Sequence, residues 1–246
     1  PTRTDLGRQI RDAFVPSEGN VFVSADYSQF ELRLAAVLAG DKKMINDFNA
    51  GTDIHTKTAA EVYKIPLDDV TKNMRRAAKV INFGVLYGMS QHGLAAAAGM
   101  NFQEAKHFID EYFRVHPEIR EYIDTTVKKA KTEGYVETLF GRRRPTPDVL
   151  SSNFVVRQAA ERAAANMPIQ GTEADLMKMA MLQVDTRIIG LGEQLLQIHD
   201  SILVECSREN ATKISEILID VMENIYPDIG VRLQVDVHTG KNWGEV

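Results

Sequence analysis

The sequence predicts an α+β fold, and two observations carry that prediction. Short β-rich runs appear at VFVSA, at QLLQI and SILVEC, and around Leu233 to Val237. The long tracts between them repeat apolar residues at helical spacing.

Taken in order, residues 1 to 20 mix charges with a Pro-Ser-Glu-Gly-Asn turn, and VFVSA then gives a strand ending at Asp26. DYSQFELRLAAVLAG follows, with Phe30, Leu34, Val37 and Leu38 on one helical face. Ser28 and Glu31 fit a Ser-x-x-Glu capping box, which gives Glu31 an ordinary helix-starting reading. Short helices are expected from Asp41 to Val70, where His55 near a helix start has a structural reading beside a ligand one. A small helix should end at Gly99, and two long amphipathic helices should break near His116 and Pro117. YVETLFGRRRPTP reads as a hairpin with Gly141 near its tip and Arg142, Arg143 and Arg144 exposed on it. Residues 151 to 189 read as helix interrupted at MPIQG by Pro168 and Gly171. Two strands then flank His199 and Asp200, the unusual turn of a β-hairpin. A helix from Glu209 to Tyr226 and a final strand complete the chain.

At 246 residues, 44% hydrophobic and 26% charged, the chain can bury a substantial core. Its net charge of −5 argues against holding nucleic acid through overall basicity, so any polyanion must meet local patches. One cysteine, Cys206, excludes an internal disulfide and fits a reducing compartment, with cytoplasm as the expectation. No run approaches a membrane span, and the first residues lack the apolar core of a signal peptide.

The most informative local pattern lies in KNMRRAAKVINFGVLYG, Lys72 to Gly88. Arg75, Lys79, Phe83 and Tyr87 recur every fourth residue, and each step of four drifts only about 40° around a helix, so they form one slowly winding stripe. Cations at one end and rings at the other match the layout of a nucleoside triphosphate. No Asp or Glu occurs between Val70 and Gln103, so the local field is positive. The plain alternative is a solvated basic face with Phe83 and Tyr87 turned into a core. Gly84 and Gly88, unfavourable in a helix by about 1 kcal/mol each, suggest close approach or a helix end.

Asp26 and Asp200 each sit at an abrupt strand end. If the strands adjoin, the carboxylates converge, and hard oxygen ligands of this type suit Mg²⁺. Two such ions about 4 Å apart would serve an in-line phosphoryl displacement.

Together these segments resemble family A DNA polymerases, the DNA polymerase I type. DYSQFELR is similar to the family's first motif, RRAAKVINFGVLYG to its second and QIHDS to its third, in the family's order. GTDIHTKTA, YVETLFGRRRPTP and NMPIQGTEADLMK extend the likeness over nearly the whole chain. The resemblance implies a right-hand palm, an antiparallel sheet with packed helices, from residues 1–40 and 165–246, with a mostly helical fingers subdomain at 41–164. It implies template-directed transfer from deoxynucleoside triphosphates to a primer 3′ hydroxyl on primer-template DNA, by a monomer in the cytoplasm of a bacterial-type cell. Two Mg²⁺ ions, or Mn²⁺ in their place, would be held by Asp26, Asp200 and the Tyr27 carbonyl. Gln29, His55, Arg75 and Lys79 would bind the nucleotide, Lys79 also protonating the leaving pyrophosphate. Glu31 would exclude the ribose 2′ hydroxyl, Phe83 would lie on sugar and base, and Tyr87 would fill the template position when no nucleotide is bound. Arg162, Asn166 and Gln170 would face the minor groove, His199 the primer terminus, and Arg33 would support the site electrostatically.

Two departures stand out. Ser201 occupies the position where the third motif usually has Glu, and Glu205 is a poor substitute, roughly 13 Å further along the strand. The thumb and exonuclease-like domains that precede these segments in the family are expected to be absent. Both bear on a rival reading, a nucleotide- or DNA-binding fragment that no longer polymerises. A two-metal nuclease is a further rival, but it has no use for the cationic-aromatic helix.

Overall fold

Val21, Phe22, Val23, Ala25 and Tyr27 are all buried, and that density of apolar β-formers makes Asn20–Tyr27 a central strand. The computed structural model describes residues 4–246. In chain order it contains α1 (Asp5–Asp12), β1 (Asn20–Tyr27), α2 (Phe30–Ala39), α3 (Lys42–Asn49) and α4 (Ile54–Tyr63). Then come α5 (Lys72–Leu86), α6 (Gln91–Ala98), α7 (Phe102–Val115), α8 (Pro117–Glu133), β2 (Tyr135–Glu137) and β3 (Arg143–Pro145). The remainder is α9 (Phe154–Arg187), β4 (Gly192–Ile198), β5 (Ser201–Ser207), α10 (Ala211–Glu223) and β6 (Val235–Gly240). The mixture of helices and antiparallel sheet is the predicted α+β class. The chain divides into two compact units, one of residues up to Phe30 together with Glu173–Val246, the other Glu31–Thr172.

The first unit is built on an antiparallel sheet of order β4-β5-β1-β6. Ile214, Ile217, Leu218, Val221 and Met222 form the apolar face of α10, which packs on β1, β5 and β6. The Tyr27 ring stacks on Phe30 at 4.0 Å, and its hydroxyl donates to the Met222 carbonyl at 2.6 Å. Helix α1 departs from the charged, turn-rich reading of the N-terminal stretch. Thr4 caps it by accepting from the Gly7 N–H at 3.1 Å, and its C-terminal side meets Trp243, whose ring lies 4.5 Å from the Arg11 guanidinium. That contact comes from the far end of the chain, which local patterning cannot see.

The second unit is helical apart from the β2-β3 hairpin. Asp41 caps α3 through the Met44 N–H at 2.9 Å and also meets His116 Nδ1 at 2.7 Å, with both side chains 1% exposed. Burial would raise the Asp41 carboxyl, but the hydrogen bonds from His116 and the Met44 N–H outweigh it and hold the group below the usual range. Pro117 begins α8, where its missing N–H costs nothing, so the break between α7 and α8 falls at the expected place.

The interruption expected at MPIQG does not occur: α9 runs unbroken through Pro168. A proline in a helix deprives the carbonyl four residues earlier of its donor. That carbonyl is Ala164; the next one, Ala165, accepts from the Tyr122 hydroxyl of α8 at 3.0 Å, a contact that braces the helix at this point. Gly171 is needed for packing rather than for a break, since a Cβ there would meet Thr138 Cγ2 at 2.4 Å. The capping box at Ser28 and Glu31 also fails, because Gln29 has φ 55° and cannot be a first helical residue. No described helix is long and apolar enough to cross a membrane.

Candidate functional site

In the first unit, strand alternation decides which side chains leave the core. Val23 and Ala25 are fully buried, so Ser24 and Asp26 point to the other face. Asp26 stands directly opposite Ser201 on β5 and Asp236 on β6. The Tyr27 N–H donates to the Asp200 carbonyl at 3.1 Å, which joins the end of β1 to the β4-β5 turn. That turn is His199 and Asp200, and His199 has φ 54°, a left-handed conformation costly for a residue with a Cβ. Gln197 Nε2 clamps it by donating to the His199 carbonyl at 2.5 Å.

The Asp26 carboxyl reaches solvent, yet the surrounding protein strips away enough water to raise it. The negative charges of Asp200 and Asp236 raise it further, with His238 and His199 in partial opposition, and it is pushed up to about 6. Asp26 and Asp200 therefore sense one another electrostatically. A pair of carboxylates that repel in this way suits a hard divalent cation, whose remaining positions water and substrate oxygens can fill. Among the described residues no group of three or more His, Cys, Asp or Glu side chains is gathered closely enough to hold an ion. Ser201 does not help: its hydroxyl donates to the Ile198 carbonyl at 2.9 Å. Glu205 is committed elsewhere, accepting from the Ser17 N–H and Asn20 Nδ2 at 2.8 Å each, and the Asn20 bond chiefly holds its carboxyl below the usual range.

In the second unit, α5 presents the cationic-aromatic stripe to solvent. Ala77, Ala78, Ile81 and Val85 face the core, whereas Arg75, Lys79 and Tyr87 are exposed and Phe83 is half-buried. The helix ends at Leu86, with Tyr87 as its cap residue and Gly88 at φ 65°. A Cβ on Gly88 would meet the Arg162 stem at 2.6 Å. The two glycines of this segment thus mark close approach and a helix end, and the stripe is not turned into a core.

Around that stripe, Arg75 Nε donates to Asp53 Oδ2 at 2.7 Å, and Asp53 also caps α4. Burial would raise the Asp53 carboxyl, but the Arg75 hydrogen bond prevails and pulls it down to about 2. His55 is buried, with its ring 5.7 Å from Phe83 and Nδ1 accepting from Asn82 Nδ2 at 3.1 Å. Burial first, and then the nearby Arg75 and Lys79 charges, lower its pKa to about 4 against the pull of Asp53. The ring is therefore neutral at physiological pH with its proton on Nε2, where it can donate. At the other end of the stripe, the Tyr87 hydroxyl donates to Glu31 Oε2 at 2.5 Å and Gln170 Nε2 to Glu31 Oε1 at 3.3 Å.

Residues 1–245 match the model of the family described as DNA polymerase family A. The chain belongs to that family. It is 49% identical over 246 residues to the thermostable DNA polymerase I of Thermus filiformis, a match covering 100% of this chain and 29% of the relative. It is 48% identical over 244 residues to the thermostable DNA polymerase I of Thermus aquaticus, covering 99% of this chain and 29% of that protein. The chain thus spans less than a third of these relatives' length. Among solved structures it is similar to the POL domain of Pol1 from M. smegmatis in complex with DNA primer-template and dNTP. The TM-score is 0.92 at 42% identity, covering 100% of this chain and 44% of that one.

The residues picked out by the family A motifs form two groups, one on each unit. Asp26, Tyr27, Asp200 and His199 gather at the β1 end and the β4-β5 turn, and Gln29 follows them at φ 55°. His55, Arg75, Lys79 and Phe83 lie together beside α4 and α5, while Glu31, Tyr87 and Gln170 form one hydrogen-bonded group. Arg162 underlies Gly88, and Asn166 is buried with its Oδ1 lacking a hydrogen-bond partner among the described residues. Arg33 is buried with its guanidinium 4.4 Å over the Phe48 ring. Sequence reasoning missed Asp236 and His238, although the alternation V-D-V-H already put both on one face of the last strand.

Proposed function

We propose that this chain is the catalytic core of a DNA-directed DNA polymerase, transferring nucleotides from deoxynucleoside triphosphates to a primer 3′ hydroxyl by a two-metal mechanism. Palm roles go to residues 1–40 and 165–246 and fingers roles to 41–164. The observation that carries the reading is the adjacency of Asp26 and Asp200, two mutually repelling carboxylates on joined strands, in a chain whose α5 exposes Arg75, Lys79 and Tyr87. That the M. smegmatis neighbour is a complex with primer-template and dNTP supports the same partners here.

Asp26 and Asp200, with the Tyr27 carbonyl, would hold the two cations. When bound, Mg²⁺ supplies charge neutralisation and lowers the pKa of the attacking hydroxyl. Arg75 and Lys79 bind the triphosphate, and Lys79 donates a proton to the departing pyrophosphate. Neutral His55 adds a hydrogen bond from Nε2, and Gln29 contacts the nucleotide. Phe83 lies on its sugar and base. Glu31 crowds the 2′ position, and Tyr87 leaves Glu31 when a template base and nucleotide arrive. Arg162, Asn166 and Gln170 read the minor groove, His199 contacts the primer terminus, and Arg33 supports the site through its charge. Positioning and charge stabilisation do the chemistry, with no covalent intermediate on the protein. We further assign a monomer acting in the cytoplasm of a bacterial-type cell.

Single-nucleotide extension of a primer at high enzyme and Mg²⁺ tests the proposal. Extension by the chain and its loss in Asp26→Ala support it, and no extension under either Mg²⁺ or Mn²⁺ overturns it. The second reading, binding without polymerisation, draws on Ser201 in place of a carboxylate and predicts retained DNA binding with no extension. If the Ser201 hydroxyl weakens the metal site, Ser201→Glu raises the rate at limiting Mg²⁺, and an unchanged rate refutes that weakness.

A further inference from the structure

We infer that Asp236 is a positioning residue for the catalytic cations, acting through metal-bound water from the side of Asp26 opposite Ser201. The inference rests on the polymerase reading. Antiparallel register gives Asp26 two direct cross-strand neighbours on the same sheet face, Ser201 from β5 and Asp236 from β6. Residues paired in this way stand about 4.5–5.5 Å apart at Cβ, so a carboxylate on either side flanks Asp26 at a similar distance. On the β5 side the chain has a hydroxyl already bound to the Ile198 carbonyl, and Glu205 is bound to Ser17 and Asn20. On the β6 side it has an exposed carboxylate.

Asp236 is close enough for its charge to disfavour ionisation of Asp26, as Asp200 does. As they stand, the three are not gathered as a group that could hold one ion together. Mg²⁺ keeps several of its waters, and a carboxylate accepting from such a water orients the inner ligands and tightens binding. His238, two residues on and on the same face, opposes Asp236 in its effect on Asp26 and leaves the face negative overall.

The test is Mn²⁺ binding to the chain without DNA, measured by electron paramagnetic resonance on Asp236→Asn, Asp236→Glu and Asp26→Asn, with melting temperature as the folding check. The expected result is Mn²⁺ affinity weakened by about 10-fold in Asp236→Asn and restored in Asp236→Glu. The Mg²⁺ concentration for half-maximal extension should rise in parallel, with the KM for nucleotide unchanged. Unchanged Mn²⁺ affinity in Asp236→Asn, alongside a loss in Asp26→Asn, overturns the role of Asp236 and leaves the polymerase reading standing. If Asp26→Asn also leaves Mn²⁺ affinity unchanged, the metal reading itself falls and takes this inference with it.

Discussion

The carboxylate group on the sheet and the cationic stripe on α5 are assembled in opposite ways. Asp26, Asp200 and Asp236 come from three distant stretches of chain and meet only because β1 pairs with β5 and β6. Arg75, Lys79, Phe83 and Tyr87 come from one stretch, and helical periodicity alone aligns them. The first group concentrates negative charge in the protein as folded, and Asp26 within it resists ionisation. The second concentrates positive charge, adds to the burial that keeps His55 neutral and stabilises the ionised form of Asp53.

The sharpest way to break this comparison is to delete one side of it. Asp26→Ala or Asp200→Ala should reduce single-turnover incorporation on the order of 10³-fold with little change in nucleotide affinity. Rapid-quench kinetics would decide, and a loss of affinity alone would place these carboxylates with the binding groups. Arg75→Ala and Lys79→Ala should act on the nucleotide, each lowering kcat/KM by about 10²-fold. Arg75→Lys should recover little of it, because a point charge cannot reproduce the two guanidinium contacts to Asp53 at 2.7 and 3.4 Å.

The two regions should also answer pH in opposite directions. Asp26 titrates near 6 when folded against an ordinary 3.8, so its contribution to stability is present below about 3.8 and lost as pH rises through about 6. His55 titrates near 4 against 6.5, so its contribution is present above 6.5 and lost as pH falls through about 4. Hydrogen exchange corrected for intrinsic rates should therefore show β1 weakening and α4 strengthening between pH 4 and 6.5. Asp26→Asn should abolish the first trend and leave the second, and should raise the melting temperature at pH 8 but not at pH 4. Parallel trends in both regions would contradict the opposed shifts.

A smaller effect tests the packing beside the stripe. Gly88→Ala should cost about 1–2 kcal/mol in chemical denaturation, since φ is 65° and the new Cβ meets the Arg162 stem. A neutral result would mean that the turn after α5 relaxes freely.

How much could be read beforehand follows from the same contrast. The stripe, the His199-Asp200 turn, the β2-β3 hairpin and the break at Pro117 all rest on local signals, and all occur where those signals fall. The misreadings are non-local. Pro168 looked like an end because the packing that carries the helix through it, such as the Tyr122 hydroxyl bond to the Ala165 carbonyl, comes from another helix. Glu31 looked like a capping residue because nothing in the residue types announces the left-handed Gln29 at φ 55°, and Tyr87 and Gln170, which take its two oxygens, are distant in sequence. Asp236 went unnoticed because only strand order reveals its neighbour.

The pairing of Asp26 with Ser201 and Asp236 also constrains how this gene can drift. Side chains alternate every residue along β1, so gaining or losing one codon inside Asn20–Tyr27 would swing the aspartate inward and leave Ala25 in its place. Length changes should accordingly be purged from this strand even where point changes to other apolar residues survive.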